Sequence, residues 1–181
     1  MRHGRSALLA ITVVVLLLAG CSSGGSDTEV PASTTTAFTP TRLQGYVAVA
    51  ADASLTDAFT QLGQDFEAAH PGTRISFNFG DSGTLSKQIV AGAAADLFAP
   101  ADPADAQKVV DAHLTKGAPR VFARRAVAST SIPSDATESG TYPIVVLKGS
   151  QDPALATAFA RYLASAAGRA TLEAKGFTPP S

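Results

Sequence analysis

Two serines fall where a strand-like pattern gives way to a helix-like one: Ser54 in Ala51-Asp-Ala-Ser-Leu-Thr-Asp57, and Ser82 in Gly80-Asp-Ser-Gly-Thr84. The first turn of a helix offers backbone N–H groups without partners and about half a positive charge, so such a junction attracts an anion without a formal cation. A serine hydroxyl adds one donor at each. Gly80 and Gly83 would let the backbone approach a ligand or take unusual dihedrals, and Thr84 offers a further hydroxyl. The chemistry suggested is hydrogen bonding to an oxyanion, with no covalent step. The same residues also read as helix caps. Ser54 with Asp57 three residues on is close to a capping box, and Ser82 suits an N-cap. A hydroxyl can cap a free helix and turn to a ligand when one arrives, so the local residues leave both roles open.

Other chemistries find less support. The chain has no Gly-x-Ser-x-Gly elbow, no Walker-type phosphate loop and no histidine spacing suited to a metal. We therefore expect no enzyme, no cofactor and no residues acting as direct cation ligands. His70, before Pro71, and His113 read as helix-end residues. Asp96 and Asp102 read as structural carboxylates, since nothing sets a nucleophile beside them. Cys21 is the only cysteine, which excludes an internal disulfide framework and a cysteine-cluster metal site. The formal net charge is −1, and the basic residues are scattered apart from Arg120, Arg124 and Arg125. A nucleic-acid partner is not expected, because binding one calls for clustered positive charge.

The elements that would position the serines follow from periodicity. Tyr46-Val-Ala-Val-Ala-Ala51 reads as a strand, and Leu55, Phe59, Leu62 and Phe66 recur at helical spacing after it. His70-Pro71-Gly72 ends that helix. Arg74 to Phe79 alternates as a strand does, and a second helix with Leu85, Ile89 and Val90 follows Gly80-Asp-Ser-Gly83. Ala95 to Ala99 is a short strand, a third helix starts near Pro103, and Tyr142 to Leu147 is a further strand. Helices with Leu155, Phe159, Tyr162 and Leu163, then Ala170 and Leu172, close the chain, with Gly176 and Pro179 as stops. This alternation predicts an α/β fold, a mostly parallel sheet flanked by helices, with ligands outside the carboxyl ends of the strands.

The N-terminal region is of another kind. Arg2, His3 and Arg5 precede an uncharged apolar run from Ala7 to Gly20, the pattern of an export signal over residues 1–20. The run is shorter than the roughly 18 to 20 residues that a spanning helix needs. Leu18-Ala19-Gly20-Cys21 resembles the bacterial lipobox, which makes Cys21 the expected lipid attachment point. Residues 21–44 are rich in Ser, Thr, Gly and Pro and read as a flexible tether. Residues 45–181 then form one α/β domain, with 126–141 as a short connection.

Taken together, these segments resemble the periplasmic molybdate-binding receptors of molybdate ABC importers. Val47-Ala-Val-Ala-Ala-Asp-Ala-Ser-Leu-Thr-Asp-Ala-Phe59 looks like the family's opening strand and its Ala-Ala-Ser-Leu-Thr turn. Phe79-Gly-Asp-Ser-Gly-Thr-Leu-Ser-Lys-Gln-Ile89 looks like its second anion-facing turn, and Gly92 to Asp102 like its Gly-Ala-Pro-Ala-Asp-Val/Leu-Phe segment. Tyr142 to Ser150 and Gly168 to Pro180 resemble its return strand and closing helix. The resemblance implies a periplasmic-binding-protein lobe, with Ser54 and Ser82 donating to molybdate or tungstate. It also implies partnership with an ABC permease, and a location at the outer face of the cell membrane through the lipid anchor. It breaks after Phe122-Ala-Arg-Arg, where the family crosses into a second lobe. Only about 15 residues separate Ala126 from Tyr142, enough for a connection and not for a lobe. Tyr142 lies in a Tyr-Pro context that matches the return strand, so it is left out of the expected site. The alternative function is a surface interaction lipoprotein that does not take part in transport and has lost high-affinity binding.

Overall fold

β1 (Gly45–Asp52) is buried between two helical layers, which is why its apolar run shows so little alternation. Val47, Val49 and Ala51 face one layer and Ala50 the other. The computed structural model describes residues 43–125 and 140–180. The expected signal at 1–20, Cys21, nearly all of the tether at 21–44, and most of the 126–141 connection lie outside the described residues. After β1 come a 3-10 turn (Ala53–Leu55), α1 (Thr56–Ala69), β2 (Thr73–Gly80), α2 (Ser82–Val90), β3 (Leu97–Ala99) and α3 (Pro103–Asp111). β4 (Thr115–Arg125), β5 (Gly140–Leu147), α4 (Pro153–Leu163) and α5 (Ala166–Ala174) complete the order. Among the described residues no helix is long and apolar enough to cross a membrane.

The strands form one sheet in the order β2-β1-β3-β5-β4. β1 runs parallel to both β2 and β3, whereas β5 is antiparallel to β3 and to β4. Four strands therefore share one direction and β5 alone opposes them, which fits the expected mostly parallel α/β sheet. Register sets where the site can form. Asp52 pairs with Gly80, and Ala51 pairs with both Phe79 and Ala99. The carboxyl ends of β1, β2 and β3 thus stop level with one another, and the turns that leave them share one edge.

Both faces of the sheet are covered. α1, α4 and α5 enclose a core in which the rings of Phe59 and Phe122 lie 5.5 Å apart and those of Phe66 and Phe159 meet edge to face at 5.3 Å. α2 and α3 cover the opposite face through Leu85, Ile89, Phe98, Val109 and Val145. Asp96, 5% exposed, ties the central strands to the chain before α4. Its carboxylate accepts from the Ala48 N–H at 2.7 Å and the Gln151 N–H at 2.9 Å. Asp102 caps α3 by accepting from the Ala104 N–H at 2.8 Å. The structural reading of these two carboxylates holds.

β4 has no counterpart among the strands read from periodicity, because Gly117 and Pro119 break the pattern of its first half. An edge strand tolerates proline, and the pairing with β5 shifts register between Lys116 and Arg120, as it would at a bulge.

Candidate functional site

Ser54 lies in the 3-10 turn that leaves β1, and Ser82 is the first residue of α2, which leaves β2. Because β1 and β2 end in register, the two hydroxyls converge on one group, the Asp52 carboxylate. Ser54 Oγ donates to Asp52 Oδ1 at 2.7 Å, and Ser82 Oγ donates to Asp52 Oδ2 at 2.6 Å. The Ser54 N–H adds a third bond to Oδ1 at 2.9 Å. Ser82 Oγ in turn accepts from the Ala101 N–H at 3.0 Å, so the turn after β3 also reaches the site. The structure thus brings together both serines named from the sequence.

Neither serine caps a helix through its side chain. Asp52 accepts from Ser54 N–H at the 3-10 turn, and Asp81 caps α2 by accepting from the Thr84 N–H at 2.7 Å. The capping reading is thereby corrected: an aspartate precedes each serine and takes that work, leaving both hydroxyls to donate to Asp52. One further expectation is corrected. Gly80 and Gly83 are not among the glycines with positive φ, so no unusual dihedral is required there. Thr84 takes part in the α2 cap through its N–H, which donates to Asp81 Oδ1 at 2.7 Å.

Tyr142, left out of the expected site, lies beside Ser54. Its hydroxyl lies 3.3 Å from Ser54 Oγ, and its ring is nearly buried against Phe177 with centroids 5.1 Å apart. The single hydrogen of Ser54 is spent on Asp52, so Tyr142 is the donor in this contact. Its place at the start of the return strand is what brings it here, and the neighbouring proline does not prevent it. Asp52 was the other residue missed. The Asp-x-Ser spacing, in which a carboxylate accepts from the backbone N–H two residues on, was its available signal.

Partial burial pushes the Asp52 carboxyl up, but the hydrogen bonds from Ser82 and Ser54 together outweigh it and hold the group below its ordinary value. The carboxylate is ionised at neutral pH. Among the described residues no histidine hydrogen-bonds to it or to the two serines. His70 ends α1 with its ring 4.5 Å from that of Phe66, and His113 follows α3 in a left-handed conformation with its N–H on the Val110 carbonyl. Among the described residues no group of three or more His, Cys, Asp and Glu is placed to hold a metal ion. What the geometry holds between the two hydroxyls is the pair of oxygens of the Asp52 carboxylate.

A mixed sheet with helices on both faces, and hydroxyls at the carboxyl ends of two adjacent parallel strands, places these residues where open α/β sheets bind ligands. A family model described as bacterial extracellular solute-binding protein matches residues 47–131 and 126–178, and the chain belongs to that family. It is 41% identical over 111 residues to the molybdate-binding protein ModA of Mycobacterium tuberculosis strain H37Rv, an alignment covering 61% of this chain and 41% of that protein. ModA of Haemophilus influenzae is 44% identical over 52 residues, covering 29% of this chain and 20% of that protein. The chain spans about two fifths of the length of the first of these relatives. Among solved structures, the periplasmic molybdate-binding protein of Azotobacter vinelandii superimposes with a TM-score of 0.66 at 14% identity, covering 75% of this chain and 100% of that chain. The sulfate-binding protein SubI of M. tuberculosis does so with a TM-score of 0.60 at 13% identity, covering 75% and 87%. These likenesses establish the fold.

Proposed function

We propose that this chain is the solute-binding lipoprotein of an ABC importer, taking molybdate or tungstate as a tetrahedral oxyanion through Ser54 and Ser82. The observation that carries the reading is the convergence of both hydroxyls on the two oxygens of one carboxylate, at 2.7 and 2.6 Å, where strands β1 and β2 end. An anion's oxygens fit there because the chain already sets a pair of them in that place. The relatives named molybdate-binding supply the ligand class. In this reading Cys21 carries the lipid, residues 21–44 span from the outer face of the membrane to the folded domain, and the permease of a molybdate importer receives the ligand.

The test is calorimetric titration of the full chain in detergent with molybdate, tungstate and sulfate, repeated with Ser54→Ala, Ser82→Ala and the double variant. Saturable binding that either serine change weakens at least about tenfold supports the reading, a loss in line with one hydrogen bond to a charged ligand. The reading is sunk if neither the folded wild type nor a folded Asp52→Ala variant gives heat at millimolar molybdate. Lipidation is tested separately: Cys21→Ser should release the chain from membranes and abolish labelling by a palmitate analogue.

A second reading has its own support. The same carboxylate that marks the anion position also fills it, which favours a surface interaction lipoprotein without high-affinity binding. The same titration separates the two.

A further inference from the structure

We propose that Asp52 determines what this site admits: its carboxylate stands where the ligand oxyanion would, so a dianion binds only by displacing it from Ser54 and Ser82. The inference rests on the two serines being ligand donors, as in the proposed function.

A serine hydroxyl has one hydrogen to donate. That of Ser54 goes to Asp52 Oδ1 at 2.7 Å and that of Ser82 to Oδ2 at 2.6 Å, while the Ser54 N–H also binds Oδ1 at 2.9 Å. Ser82 Oγ is held in that orientation by the Ala101 N–H, and Ser54 Oγ has the Tyr142 hydroxyl 3.3 Å away. With Asp52 seated, neither hydroxyl keeps a hydrogen for a second anion. A fully ionised tetrahedral dianion beside it would meet oxygen lone pairs and a like charge, which costs energy in proportion to its dehydration. The ion pairs described for the chain, Arg74 with Glu67 and Lys108 with Asp105, involve neither Asp52 nor the serines, so neither offsets that charge.

Asp52 precedes Ser54 by two residues, so it competes as a tethered ligand. A short tether gives a competing group an effective concentration on the order of millimolar, before the rigidity of the turn is counted. A free dianion must exceed that competition before it gains anything from the hydroxyls. Asp52 thereby acts as a specificity-determining residue, disfavouring molybdate, tungstate and sulfate alike, and its neutralisation should open the site to all three.

The experiment titrates the full chain in detergent at neutral pH with sodium molybdate and sodium sulfate. It compares the wild type, Asp52→Ala, Asp52→Asn and Asp52→Ala combined with Ser54→Ala and Ser82→Ala, with thermal unfolding confirming that each is folded. The expected result is molybdate affinity at least about tenfold above wild type in Asp52→Ala, the scale of one released charge-assisted contact, lost again in the serine-deficient combination. Asp52→Asn keeps the shape without the charge and should show the same direction, so it decides the matter if the alanine variant does not fold. Should the neutral variants bind no more tightly than a wild type that binds through its serines, Asp52 is no competitor and the oxyanion reading alone survives. Should no folded variant bind, both fall.

Discussion

Ser82 works in two directions, donating to Asp52 and accepting from the Ala101 N–H, and it does so while only 5% exposed. Removing its hydroxyl leaves the partly buried Ala101 N–H without its partner and a carboxylate short of a donor. Ser82→Ala should therefore destabilise the chain by about 1–3 kcal/mol, read from urea unfolding. Ser54 is exposed, so water can replace its bond, and Ser54→Ala should cost clearly less in the same assay. Asp52 gives a pH signature. Its folded value lies below the usual 3.8, so its contribution to stability is fully present above that value and is lost as pH falls through the folded one. Asp52→Asn should flatten the acid limb of a stability-against-pH curve. At this scale the sequence showed the serines, because strand-to-helix junctions are visible in periodicity. It did not show who would hold their hydrogens. That depends on the register of β1 with β2, which no local pattern encodes, and the contact of Tyr142 with Ser54 spans 88 positions.

Elements built on strong periodicity were legible: α1 buries Phe59, Leu62 and Phe66 as spaced, and β2 follows the His70-Pro71-Gly72 break. Elements defined by their partners were less so. β4 is a strand because β5 pairs with it, in spite of Gly117 and Pro119. β3 shrinks to Leu97–Ala99, and Asp96 before it turns to bind backbone groups. The junction of α4 and α5 is another feature of packing. A Cβ on Gly168 would stand 2.2 Å from the Tyr162 carbonyl oxygen and 2.9 Å from Leu163 Cα, both backbone atoms unable to swing aside. Gly168→Ala should open this joint and lower stability by about 1–3 kcal/mol, outweighing the gain of up to about 1 kcal/mol that alanine brings to a helix. A lowered melting temperature with unchanged helix content at room temperature checks it. Deleting a ring in the aromatic core should cost more: Phe59→Ala is expected to lose about 3–5 kcal/mol.

On the scale of the whole molecule, the described donors to the site all belong to one sheet: the turns after β1, β2 and β3, with Tyr142 from β5. Donors from one side leave the far oxygens of a ligand in water, and size discrimination needs an enclosed cavity. Molybdate and sulfate titrations of Asp52→Ala should accordingly differ by less than about tenfold, a gap of ~1.4 kcal/mol. Asp96 carries a different consequence, in time. The groups that satisfy it, the Ala48 and Gln151 N–H, lie 48 and 55 positions away on opposite sides of it in the chain. Burying that carboxylate before both loops have closed would strand it among apolar strands, so its bonds belong to the downhill side of the folding barrier. Asp96→Ala should then steepen escape from the native state while leaving the refolding arm of a chevron almost where it was, making this aspartate a latch on the lifetime of the fold and not a guide to its formation.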